Sequence, residues 1–160
     1  MHHDKVDAVD IQILKILQPQ GRTKRNELAE QVKLSIPAVS ERLRKLEERG
    51  VIRSYNTVLD ARRLGLGLTA FIFVATESSS YYKQIIENAL AHPEILECHA
   101  VTGDGSHILK IKTLSTETLE KLLSHIQSWP GVTNTRTNVV LSSPKEDTVI
   151  SLAHLEGHAA

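Results

Sequence analysis

An α+β fold in two parts is predicted by three features of this sequence. Helical periodicity recurs three times before residue 50, a strand, helix, strand, strand, helix, strand order follows residue 68, and the charge changes sign between the two regions. The net charge of zero hides that change. Residues 1–63 hold 13 Lys and Arg against 9 Asp and Glu, net +4, and residues 64–160 hold 6 against 10, net −4. Such asymmetry suggests a basic binding module joined to an acidic partner domain.

The first helix spans about Asp7 to Leu17, where Val6, Val9, Ile13, Ile16 and Leu17 share one face before Pro19 and Gly21 stop it. A second opens after Thr23, read as its N-cap, and turns Leu28, Ala29 and Val32 inward before a break at Lys33-Leu34. The third starts at Ser35, accepts Pro37 in its first turn and runs through Val39, Leu43 and Leu46 to Arg49, with Gly50 suited to end it. Val51 to Leu59 is rich in β-formers and is expected to make two short strands around a turn, the position of a wing. The N-terminal domain, residues 1–60, is thus read as a winged helix-turn-helix. Residues 61–68, with Arg62, Arg63, Gly65 and Gly67, form a linker.

Residues 69–142 read as a ferredoxin-like βαββαβ sandwich. Its strands are expected at 69–76, 96–102, 108–113 and 132–141, and its helices at 81–91 and 116–128, each ended near Pro93 or Pro130-Gly131. In the first strand both alternating sets, Ala70/Ile72/Val74 and Phe71/Phe73/Ala75, are apolar. Two helices cover only one face of such a sheet, so a second copy of the chain is expected to cover the other, giving a two-fold homodimer. The segment 143–160 has no clear period, although Val149, Ile150 and Leu152 suit a short strand or arm.

Composition excludes several function classes. At 41% hydrophobic and 24% charged, the chain is of globular type. No apolar run approaches the roughly 20 residues of a membrane span, and Met1-His2-His3-Asp4 has no apolar signal core, so a cytoplasmic protein is expected. Cys98 is the lone cysteine and is read as a small buried hydrophobe. The eight histidines, including His2-His3 and the His154/His158 pair, are read as solvated, so neither a metal nor a cofactor is expected. No phosphate-binding loop, nucleophile motif or carboxylate pair appears, and no catalytic residue is assigned.

Residues Glu27 to Ile52 carry the function: two helices joined by a tight turn, of which the second enters the major groove of double-stranded DNA by its N-terminal part. With Val39, Leu43 and Leu46 inward, Ser35, Ile36, Pro37, Ser40, Glu41, Arg44 and Lys45 fall outward. Arg44 and Lys45 suit phosphate or guanine, Ser40 donates or accepts, and Glu41 either accepts from a cytosine amino group or pairs with Lys45. Phosphate clamping is assigned to Arg22, Lys24, Arg25 and Arg53, with Arg62 and Arg63 as further candidates.

On these residues the chain resembles the Lrp/AsnC, or feast/famine, family of transcriptional regulators over nearly its whole length. The resemblance rests on Val9-Asp10-Ile11-Gln12-Ile13-Leu14 with Gly21-Arg22, the segment Glu27 to Ile52, Tyr55 leading into the wing, and Glu97-Cys98-His99-Ala100-Val101-Thr102-Gly103-Asp104. It implies dimers assembled into octamers or similar rings and amino-acid effectors bound between dimers. The implied effector positions are His99, Gly103, Asp104, Gly105 and Ser106, with Thr135 and Thr137 opposite. Two departures stand out. Lys33 occupies a turn where the family usually has glycine. Gly105, Ser106 and His107 follow Gly103-Asp104 where the family usually reads Gly-x-Tyr-Asp and an aromatic. The second departure predicts a different effector, or a site in which Asp104 or His99 supplies the missing group. Gly103 and Gly105 also suit a simple hairpin turn. Two alternatives remain: a DNA-architectural protein without an effector, and an enzyme like the tetrapyrrole decarboxylases that resemble this family in fold, which would need His99, His107 and Arg136.

Overall fold

The computed structural model describes residues 6–156. They divide into two compact units, bounded as Met1–Val58 with Lys145–Ala160, and as Leu59–Pro144.

In the first unit, α1 (Ala8–Leu17) is opened by Asp7, whose carboxylate accepts from the Asp10 amide at 2.9 Å while the Asp7 amide donates to the Asp10 side chain at 3.3 Å. Helix α2 (Arg25–Val32) starts one residue later than the sequence suggests. Thr23 spends its hydroxyl on the Gln20 carbonyl at 2.7 Å, so Lys24 is the cap residue and its amide is met by Glu27 at 3.1 Å. Lys33 then takes the left-handed conformation, φ 55°, and the Leu34 amide closes onto the Ala29 carbonyl at 2.9 Å. A lysine held there costs about 1 kcal/mol relative to glycine. Helix α3 (Ile36–Glu48) is capped by Ser35, whose hydroxyl accepts from Ala38 N at 3.3 Å. Ile13, Leu17, Leu28, Val32, Val39 and Leu43 form the core of this unit.

The expected wing strands are not formed: residues 53–60 have no regular secondary structure and join no ladder. Val51 and Ile52 pack against the helices, whereas Val58 and Leu59 stand in solvent, 81% and 65% exposed. A lone two-stranded ribbon without an apolar face to rest on is marginal in water. What fixes the segment instead is the Ile52 amide on the Leu46 carbonyl at 3.1 Å and the Tyr55 phenol donating to Glu47 at 2.8 Å.

The segment from Lys145 onward returns to this unit. The Gln18 carboxamide grips the Ile150 backbone at both ends, accepting its N–H at 2.8 Å and donating to its C=O at 3.1 Å. Leu152 is buried against Ile11, Leu14 and Leu46, and the short helix α6 (Ala153–Glu156) pairs Glu156 with Lys15.

The second unit is a four-stranded antiparallel sheet in the order β2-β3-β1-β4, with β1 Leu68–Thr76, β2 Ile95–Ala100, β3 His107–Thr113 and β4 Val132–Val139. Helices α4 (Tyr82–Ala91) and α5 (Thr116–Gln127) lie on one face, sealing Ala70, Ile72, Val74, Leu109 and Ile111 with Ile85, Leu119, Leu122 and Ile126. This is the ferredoxin-like arrangement. On the other face Phe71 and Phe73 are only half-buried, with Arg136 stacked 4.7 Å above the Phe73 ring. Before β1 the chain makes one tight turn at Arg62–Leu64, ended by Gly65.

His107 is fully buried in this unit, edge-on to Tyr82 at 4.9 Å between centroids. Burial pushes its imidazole below the ordinary histidine value of 6.5.

Two outcomes are expected. Leu152→Ala should destabilise the first unit by about 2 kcal/mol, as for a buried leucine truncated against a packed core, leaving the second unit's denaturation midpoint unchanged. Below pH 6.5 the unfolded chain takes up a proton that folded His107 refuses, so stability should fall as pH drops from that value toward the depressed one. Urea midpoints measured across that window should lose this component in His107→Leu.

Candidate nucleic-acid interface and the hairpin loop

Helix α3 presents its polar side because its apolar side is fully committed. Val39, Leu43 and Leu46 are 0%, 6% and 1% exposed, and at helical spacing this turns Ile36, Pro37, Glu41, Arg44 and Lys45 to solvent, with Ser40 half-buried at the edge. Ser35 is exposed, but its hydroxyl serves the helix cap. Arg22, Lys24, Arg25 and Arg53 are exposed on the loop before α2, at its start and after α3, and among the described residues none of them pairs with a carboxylate. Arg62 and Arg63 belong to the other unit, where Arg63 pairs with Asp60 at 3.3 Å.

The α3 cations have partners in the protein itself. Arg44 donates from Nε and Nη2 to both Glu41 oxygens at 2.9 and 2.6 Å, and from Nη1 to Glu48 at 2.5 Å. Lys45 lies 3.5 Å from Glu41. The hydrogen bond from Arg44 holds the Glu41 carboxyl down at about 2. The Glu41–Lys45 pair was foreseeable from spacing, but Arg44 is the stronger partner. The same spacing rule applied to Arg44 would also have found Glu48. Arg42 is a different case: it turns inward and bridges Asp7 at 2.7 Å and Asp10 at 2.8 Å, tying α3 to the start of α1. No local pattern announces a contact across 32 residues.

In the second unit, Gly103 (φ 114°) and exposed Asp104 turn the β2–β3 hairpin. Gly105 lies so close to β1 that an added Cβ would meet the Val74 carbonyl oxygen at 3.1 Å. Ser106 is directed into the protein. Its amide donates to Val74 O at 2.8 Å, its hydroxyl donates to the same oxygen at 3.1 Å, and it receives the Thr76 hydroxyl at 3.2 Å. With its own proton spent, Ser106 accepts from His107 Nδ1 at 3.0 Å, which leaves Nε2 a buried lone pair without a partner among the described residues.

The remaining loop candidates separate across the sheet. His99 pairs in register with Ile108 on the open face and binds Glu97 at 3.1 Å. Thr135 and Thr137 sit opposite Val74 and Ile72, on the helix-covered face, and Thr135 already accepts from Gln127 at 2.9 Å. Cross-strand partners share a face, so the two threonines are not brought together with His99. Burial of Ser106 likewise corrects its expected role as a loop contact. The enzyme alternative fails on the same geometry: His107 faces the helices, while His99 and Arg136 are on the opposite side. Among the described residues no three His, Cys, Asp or Glu side chains group to hold a metal, and no helix is long and apolar enough to cross a membrane. His2, His3 and His158 lie outside the described residues.

Comparison with known proteins agrees with both units. The family model for winged helix-turn-helix DNA-binding matches residues 6–53, and that for the Lrp/AsnC ligand binding domain matches residues 69–150. The HTH-type transcriptional regulator FL11 of Pyrococcus horikoshii is 36% identical over 147 residues, covering 92% of this chain and 97% of that protein. The leucine-responsive regulatory protein of Klebsiella pneumoniae is 33% identical over 144 residues, covering 88% of each. A transcriptional regulator from Neisseria meningitidis, solved as an L-Met complex, superposes with a TM-score of 0.89 at 32% identity, over 94% of this chain and 99% of that one. These relatives are regulators, not enzymes. With its helix-turn-helix exposed as described and a ligand-binding-domain match over residues 69–150, the chain belongs to the Lrp/AsnC family of transcriptional regulators.

Proposed function

We propose that this regulator binds double-stranded DNA sequence-specifically through α3, with Ile36, Pro37, Ser40, Glu41, Arg44 and Lys45 in the major groove. Ser35 holds the helix end in place, and Arg22, Lys24, Arg25 and Arg53 clamp phosphates on either side. The observation that carries this reading is the outward polar face of α3, fixed by full burial of Val39 and Leu46. A cytoplasmic location follows from that role.

The protein works as a homodimer, joined through the half-buried Phe71 and Phe73 face, and dimers assemble further into octamers or similar rings. Two helix-turn-helix units related by two-fold symmetry call for a roughly palindromic operator with half-sites about one helical turn apart. An amino-acid effector binds between dimers at the hairpin loop, where Gly103, Asp104 and Gly105 offer backbone and one carboxylate, with His99 nearby in sequence on the open face. The leucine-responsive relative and the L-Met complex support this effector class. Binding shifts the population of assemblies and thereby the spacing of recognition helices.

Gel-shift titration against DNA from upstream of the gene should show retention that weakens with salt. The double variant Arg44→Ala, Lys45→Ala should bind at least tenfold more weakly, with the log–log salt slope shallower by about two per protomer; undiminished binding would refute the α3 assignment. Thermal shifts against the twenty amino acids should single out one chemical class that raises the second unit's melting temperature by several degrees at ligand concentrations about 100-fold above Kd. Gly105→Val, which places side-chain atoms against the Val74 carbonyl, should abolish that increment. A flat response to all twenty favours the effector-independent architectural alternative.

A further inference from the structure

Helix α3 is electrically neutral. Between Ile36 and Glu48 it carries Arg42, Arg44 and Lys45 against Glu41, Glu47 and Glu48. Every one of those cations is paired inside the first unit: Arg42 with Asp7 and Asp10, Arg44 with Glu41 and Glu48, and Lys45 with Glu41. Arg44 has a carboxylate oxygen on each of its three guanidinium nitrogens. A helix meant only to be attracted by phosphate would not be built this way, since each phosphate contact must compete with an internal carboxylate for the same cation. Arg22, Lys24, Arg25 and Arg53, which pair with no carboxylate among the described residues, lie off α3. Non-specific attraction is therefore supplied by the flanks, and the reading helix adds little to it.

Glu41 is the centre of this arrangement, because one carboxylate serves both outward cations. It is exposed on the face that enters the groove, and it can only accept hydrogen bonds. Against guanine O6 and N7 or thymine O4, all acceptors, it meets repulsion and keeps its hold on Arg44. Adenine offers its N6 amino donor only beside the N7 acceptor, which repels a carboxylate, whereas cytosine presents its N4 amino group with no acceptor of its own next to it, so there Glu41 gains a donor. Resting on the DNA-binding reading above, we propose that Glu41 is a specificity-determining residue that withholds Arg44 and Lys45 from the duplex unless a cytosine amino group faces it. Glu48, one turn beyond Arg44 and about two beyond Glu41, tethers the same arginine but does not read the base.

The test is fluorescence anisotropy of the full-length protein, at several salt concentrations, on two duplexes: one of random sequence and one enriched by the wild type from a randomised library. Glu41→Gln keeps the shape and removes the charge at an exposed site. It should bind the random duplex about fivefold more tightly, the upper range for losing a surface ion pair, with a log–log salt slope steeper by up to about two per protomer. It should also discriminate less between the duplexes, and a library enriched with Glu41→Gln should lose a cytosine preference that the wild type shows in each half-site. Glu48→Gln should tighten random binding while keeping that preference. The proposal is overturned if Glu41→Gln binds random duplex no more tightly and with unchanged slope, or if Glu48→Gln erases the same base preference. Failure of the wild type to bind any duplex would instead overturn the DNA-binding reading, and this proposal with it.

Discussion

The first unit depends on one constraint: Val39, Leu43 and Leu46 must leave water on the same side of α3. Their burial against α1, α2 and the returning C-terminal segment sets the rotation of the helix about its axis. Once that rotation is fixed, the outward set follows at 100° per residue, without any further interaction to aim it. Arg42 then pins the helix at its flank, bridging the Asp7 cap and buried Asp10 in α1. The buried set determines which side chains can reach a groove, and the Arg42 bridge determines how firmly they are held.

A second constraint shapes the hairpin. Ser106 and His107 form a hydrogen-bonded chain that ends on the Val74 carbonyl, and Gly105 is small enough to let the loop lie against that strand. The loop is thus fastened at one end and open at the other, where Gly103 and Asp104 meet solvent. Its chemistry differs from a loop with an acid and an aromatic in those places. Only one carboxylate remains, and behind it the Ser106 hydroxyl is already satisfied by the protein, while His107 Nε2 keeps its buried lone pair.

The C-terminal segment shows why periodicity has limits as a guide. From Lys145 to Glu156 the chain has no regular structure until one short helical turn, so no repeating face signals its partner. Gln18 recognises the Ile150 backbone through an amide, and Leu152 fills a gap left by three residues distant in sequence. The wing region fails for the opposite reason. Its β-forming residues are real, but strand pairing needs a partner edge, and within this chain Val58 and Leu59 find none among the described residues.

The sequence by itself determined the three helices, the turn between α2 and α3, the βαββαβ order and the identity of the outward α3 residues. Each of these is written in contacts a few residues apart, through 3.6- or 2-residue periods, caps and turn formers. Tertiary structure alone decided the pairings between residues distant in sequence. Arg42 is claimed by α1, and Ser106, His107 and Thr135 are turned toward the interior, away from His99. Those outcomes depend on which elements come to lie side by side, and a one-dimensional pattern holds no distance between residues that only folding makes neighbours.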